Sequence, residues 1–173
     1  MTLAARLRDP RVAAALVLAA AVATTGGAYV FEYGLGYIPC PLCLMQRKPY
    51  YVAMALALAA ALVPNRVLAR IGLALVALVF VVSAGLGAYH AGVEWGLWLG
   101  PSDCAGAPAA AAGNVTDFMQ SLQKTRVVNC TEAAWRFLGL SLAGWNVLIS
   151  LALAAFAALA AVRPRGEGGK RPS

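Results

Sequence analysis

The chain has 173 residues, of which 61% are hydrophobic and 12% charged, with a formal net charge of +7. Ordinary water-soluble domains carry about 45–50% apolar and about 25% charged residues, so the length admits one domain but the composition excludes a typical soluble enzyme. Nor does the basic excess require a nucleic acid, because its distribution along the chain has another explanation.

Four apolar bands can be read in order, each near the length of about 20 residues that a membrane-spanning helix needs. The first covers 12–31, "VAAALVLAAAVATTGGAYVF". A backbone in lipid must satisfy its own polar groups, so such a band is helical. The basic start "RLRDPR" also suits a secretory signal peptide, but the apolar run continues through Phe31 and three further bands follow.

An external loop, 32–45, comes next. It runs into the second band through "GYIPCPLCLMQRKPYY", where Cys40 and Cys43 form a Cys-x-x-Cys pair with Arg47 and Lys48 behind it. The second band spans 46–63, and Pro49 argues that its regular helix begins near Lys48, with Cys43–Arg47 in a looser turn. If the segment is helical, Arg47 shares a face with Cys43. Its charge and the helix N-terminus would then both favour a thiolate. Lys48 is the better interfacial anchor.

After the turn "PNRVLAR" the third band covers 71–89. A long external segment, 90–140, follows and carries Cys104 and Cys130. Segments of that length without structure of their own are uncommon and often functional. Within it "VTDFMQSLQKTRVV" spaces Phe118, Met119 and Leu122 as one face of a short amphipathic helix, lying on the membrane surface or packed on the bundle. The fourth band is 141–162. The fold class expected is all-α: a four-transmembrane-helix bundle forming a single integral membrane domain, with two external loops.

Charge orients the bundle. The N-terminal tail, the loop between bands two and three, and the C-terminal tail hold nine basic residues against only Asp9 and Glu167. The opposite side holds five of each sign. The whole net charge thus lies on one face, which the positive-inside rule makes cytoplasmic; anionic lipid headgroups are its natural counterpart.

All four cysteines then lie outside. Buried structural cysteines behave as small hydrophobes and would scatter through the spans, so their clustering argues for redox use in an oxidising compartment. Cys40–Cys43 is a poor structural staple, because so short a loop removes little unfolded-state entropy. Zinc sites usually show two closely spaced ligand pairs, which Cys104 and Cys130 do not supply. Covalent haem needs histidine directly after the motif, where Leu44 stands. A structural role for Cys104 and Cys130 stays open on spacing alone.

The chain resembles the bacterial disulfide bond formation protein B family, quinone-linked thiol oxidases of the inner membrane. The likeness rests on "PCPLC", Arg47, the lone cysteines 104 and 130, "YH" at 89–90 and "CTEAAWRFLGLSLAGWN". It implies that Cys104 and Cys130 oxidise a periplasmic thioredoxin-like disulfide oxidase and pass electrons to Cys40 and Cys43. Cys43 would stand nearest a membrane quinone, with ubiquinone the first candidate. Arg47 and His90 match the family's quinone-site residues, and Glu94 is a weaker neighbour. The expected protein is a monomer in the inner membrane, with both termini cytoplasmic, cysteines periplasmic, no resident metal and no nucleic-acid partner. Two rivals remain: a vitamin K epoxide reductase-like relay, and a membrane scaffold with structural disulfides.

Overall fold

The computed structural model describes residues 9–101, 126–127 and 129–162. Cys104 and the expected amphipathic helix around Phe118 lie outside them.

Four long helices dominate. The first, α1, runs Pro10–Tyr29. Asp9 caps it by accepting from the Arg11 backbone N–H at 3.0 Å, and Pro10 occupies the first turn, where its missing N–H costs nothing. The helix passes directly into a π turn, Val30–Gly34. The second, α2, runs Pro41–Leu62, and α3 runs Arg66–Glu94 with Asn65 as its cap. The fourth, α4, runs Leu142–Val162.

By length and apolarity three segments suffice to cross a membrane: Pro10–Gly34, Arg66–Glu94 and Leu142–Val162. The four spans expected thus become three by this measure, with α2 as a fourth long helix packed between α1 and α3. Its first half carries Gln46, Arg47, Lys48, Pro49 and two tyrosines, which lowers its hydropathy. Helix α2 also begins earlier than the sequence suggested. Cys40 caps it and Pro41 takes its first position, while Pro49 is accommodated inside. Cys43–Arg47 is therefore helical, not a loose turn. Helix α3 likewise extends past 89, so His90 and Glu94 lie within it.

The bundle is small inside and large outside. Its core is built mostly from alanines, among them Ala14, Ala53, Ala57 and Ala157, around Val17, Leu73, Val76 and Phe80. Leu62, Leu78, Val81, Val82, Leu151 and Leu159 point outward and are exposed. Small residues let helix backbones approach closely where lipid, not water, surrounds them. At Gly72 an added Cβ would come 2.8 Å from the Ala60 Cβ, so the α2–α3 crossing depends on the absent side chain. A water-soluble bundle would place its large apolar residues the other way round.

Two short ladders, unforeseen in an all-α reading, organise the end of the bundle that holds the cysteines. Strand β1, Tyr37–Ile38, pairs in parallel with β2, Arg126–Val127, in the register Tyr37 to Arg126. Strands β3, Arg136–Phe137, and β4, Leu140–Ser141, form an antiparallel hairpin. Its two-residue turn, Leu138 and Gly139, has φ of 51° and 82°, the left-handed pair that matches strand twist. Ser141 then caps α4 by accepting from the Gly144 N–H at 3.1 Å. The motif "WRFLGLSLAGWN" is in this sense architectural. At the opposite end Arg66 bonds Asp9 at 3.2 Å, placing the start of α1 and the α2–α3 turn together, as the charge distribution required.

Candidate active site

The β1–β2 ladder fastens the two external segments together just before each delivers a cysteine. Cys40 follows β1 and Cys130 follows β2. Cys40, Cys130, Leu42 and Val93 form a small buried cluster with Cys43 packed against it. The Cys40 and Cys130 sulfurs and a His90 ring nitrogen all lie within 4.8 Å of one another. Cys130 is fully buried and disulfide-bonded, whereas Cys40 and Cys43 are free thiols. A metal would find one free sulfur and one imidazole in this triplet, since the third ligand is engaged.

Cys40 and Cys43 are 2.9 Å apart, sulfur to sulfur, close enough to hydrogen-bond. The Cys43 backbone N–H also donates to the Cys40 sulfur at 3.2 Å. The hydrogen bond shared with Cys43 holds the Cys40 thiol down at about 5, against the opposition of burial, with help from His90. Cys43 is pushed up by that same bond, by burial and by the neighbouring Cys40 charge. Cys40 is therefore the thiolate of the pair, seated at a helix N-terminus whose free N–H groups favour an anion.

His90 is 3% exposed and held from both sides. Its Nδ1 accepts from Gln46 Nε2 at 2.5 Å, which leaves Nε2 to carry the proton. That Nε2 lies 3.8 Å from the Cys40 sulfur and 3.9 Å from Glu94 Oε1. The Gln46 carbonyl accepts from Asn146 Nδ2 at 2.6 Å, and Asn146 Oδ1 accepts from the Tyr50 hydroxyl at 2.8 Å. Ser150 and Ser83 continue the chain. This polar chain threads α2, α3 and α4 where an unmet polar group would be costly. Sequence reasoning missed Gln46, Tyr50 and Asn146. The available signal was their polarity in or beside apolar bands, where such residues are functional candidates.

A cavity of about 310 Å³ opens beside the pair and is lined by Cys43, Arg47, His90, Glu94, Phe31 and Asn146, among others, though not by Cys40. Arg47 shares the Cys43 face of α2, as the i, i+4 spacing implied. Its guanidinium does not rest on a sulfur, however: it pairs with Glu32 at 2.5 Å and lies 4.9 Å over the Tyr29 ring. Glu32 belongs to the π turn, a kind of local irregularity often found at functional sites. An aromatic series, Phe31 to Trp135 at 5.4 Å and Trp135 to Phe137 at 5.6 Å, ties this turn to the hairpin. A mostly apolar wall with a few convergent polar groups is the usual make-up of a small-molecule pocket.

Residues 10–160 match the family described as Disulfide bond formation protein DsbB. Among curated relatives, a disulfide bond formation protein B from Marinobacter nauticus is 32% identical over 152 residues, covering 80% of this chain and 85% of its own. One from Polaromonas is 30% identical over 149 residues, covering 84% and 86%. One from Verminephrobacter eiseniae is 29% identical over 173 residues, covering 95% and 92%. No solved structure matches the chain.

Proposed function

We propose, since the chain belongs to the DsbB disulfide bond formation family, that it is a protein-disulfide:quinone oxidoreductase of the bacterial inner membrane. In this reading all four long helices span the membrane as a monomeric domain, the termini are cytoplasmic and the cysteine end is periplasmic. The single observation that carries it is the two-sided setting of one free cysteine pair: Cys40 beside disulfide-bonded Cys130, and Cys43 on the cavity.

The reaction runs by thiolate attack through mixed disulfides. A reduced thioredoxin-like oxidase attacks Cys104 of a Cys104–Cys130 disulfide, and its second thiol resolves the mixed disulfide. The partner leaves oxidised, with Cys104 and Cys130 as thiols. The Cys130 thiolate next attacks Cys40 of a Cys40–Cys43 disulfide. Resolution by Cys104 restores the outer disulfide and leaves Cys40 and Cys43 reduced, the arrangement of free and bonded sulfurs seen here. A quinone held by the cavity supplies a two-electron, two-proton acceptor, and the Cys40–Cys43 disulfide re-forms. Cys43 faces the acceptor, Arg47 with Glu32 holds the polar edge, and His90 steadies the Cys40 thiolate.

The test uses the purified protein, decylubiquinone and dithiothreitol or a reduced thioredoxin-like partner. Quinone reduction that requires both cysteine pairs supports the reading. Its absence, with all four cysteines permanently bonded, would favour a scaffold with structural disulfides.

A further inference from the structure

Glu94 closes α3 and lines the same cavity. Its side chain is only 5% exposed, its Oε1 lies 3.9 Å from His90 Nε2, and its Oε2 has no hydrogen-bond partner among the described residues. Idle buried carboxyl oxygens are rare and call for a reason. The nearby cation does not provide one, because Arg47 is committed to Glu32. The titratable and charged groups around Glu94 are His90 on its own helix, Cys43, Arg47 and Tyr50 on α2, Tyr37 on β1, and Glu32 in the π turn. Cys40 meets the same His90 Nε2 at 3.8 Å with Cys130 beside it, and α4 contributes the neutral Asn146 to the cavity.

Proton balance supplies the reason. Two thiols and a quinone give one disulfide and one quinol, so two electrons and two protons leave the cysteines together. Cys43 can bring its proton directly to the cavity. Cys40 reacts as the thiolate, does not line the cavity, and so cannot deliver its own.

We propose that Glu94 carries the proton released by Cys40 and donates it from Oε2 to a quinone oxygen in the cavity. The inference rests on the quinone reading above. The carboxyl takes up one proton when the Cys40–Cys43 pair is reduced and thiolate forms, and gives it up as the S–S bond closes. No further acid is needed, since both quinol protons began on thiols. His90, spaced between Cys40 and Glu94, is a positioning residue that keeps the thiolate and the acid in register.

The experiment compares the full-length protein with Glu94→Gln and Glu94→Asp in two measurements. The first, reduced-minus-oxidised infrared spectroscopy without quinone, is expected to show a protonated carboxyl band that Glu94→Gln lacks and Glu94→Asp shifts. The second is decylubiquinone binding and single-turnover reduction. Glu94→Gln is expected to bind decylubiquinone within about threefold of the parent but to reduce it about 10²-fold more slowly, with a rate that rises as pH falls because protons then come from solvent. Glu94→Asp should recover part of the rate. An unchanged carboxyl band in Glu94→Gln, or parent-like reduction by it, overturns the proposal while leaving the quinone reading intact. A parent protein that neither binds nor reduces decylubiquinone overturns both.

Discussion

On one side of the first turn of α2, Cys40 is packed with Leu42, Val93 and disulfide-bonded Cys130. On the other side, one helical turn away, Cys43 looks into a cavity walled by all four long helices and the π turn. The first setting is dry, made of protein, and matched to another sulfur. The second is open enough to admit a small flat molecule. Two identical side chains thus acquire different ionisation and different partners from position alone. Cys40, as N-cap, collects hydrogen bonds that favour an anion, while burial and the neighbouring Cys40 push Cys43 toward its neutral form. An electron pair arriving at Cys40 can leave toward Cys43 without either sulfur moving far.

The largest way to break this division is to remove one side. Cys40→Ser should drop thiol-driven decylubiquinone reduction to the uncatalysed level, because no sulfur then receives electrons from Cys130. Lys48→Ala, which touches neither side, should stay within about twofold of the parent on a surface-substitution footing; steady-state quinone absorbance reads both.

The cavity side is next. Arg47 and Glu32 are mostly buried, with 13% and 20% of their side chains exposed, and removing one partner of such a pair costs less than the about 3–5 kcal/mol of a fully buried one but more than the about 0–1 kcal/mol of a surface pair. Arg47→Ala should raise the KM for decylubiquinone by about 10- to 100-fold, equivalent to about 1.4–2.8 kcal/mol. It should leave the Cys40 titration in place, because the donors at that sulfur are Cys43 and His90.

A milder lesion sharpens the other side. The Cys40 thiolate forms as pH rises through about 5, followed by its ultraviolet absorbance in the reduced protein. His90→Ala removes one of the donors favouring the anion, so the midpoint should move upward, toward but short of the ordinary 9.0, since the Cys43 bond remains. Less thiolate would then be present between the two midpoints, and exchange with Cys130 would slow there. Asn146→Leu should move it in the same direction by less, because Asn146 acts only by holding Gln46 against His90.

The smallest effect expected is at Gly92. A Cβ there would fall 2.1 Å from the Trp98 ring, which packs over α3 by stacking on Tyr89 at 6.1 Å and donating to its carbonyl at 2.7 Å. Gly92→Ala should displace that tryptophan and lower thermal stability by about 1–3 kcal/mol. Turnover should change less than twofold, since neither sulfur is touched.

Much of this was legible beforehand. The helical bands follow from apolar runs, which act locally and additively. The start of α2 was not, because Pro49 looked like a boundary. Pro41 with a cysteine cap made a better one, and a proline inside a packed helix can be tolerated. The fate of Arg47 was hidden for a different reason. Its partner Glu32 is fifteen residues away in a π turn that no periodicity announces. Gln46 to Asn146 spans a hundred residues, and such a contact exists only once α2 and α4 are packed. The β1–β2 ladder was likewise invisible: two residues on each side are too few to leave an alternating pattern.

The division between the two sulfurs is tested most directly by asking which one captures Cys130. In a Cys43→Ser, Cys104→Ser double variant, both the thiol that would reclaim Cys40 and the thiol that would resolve its bond to Cys130 are gone. Mild oxidation of the reduced variant, followed by peptide mapping under non-reducing conditions, should therefore yield a Cys40–Cys130 disulfide. The reciprocal Cys40→Ser, Cys104→Ser variant should give no Cys43–Cys130 disulfide under the same treatment. A Cys43–Cys130 bond formed as readily as Cys40–Cys130 would contradict the two-sided arrangement on which the account depends.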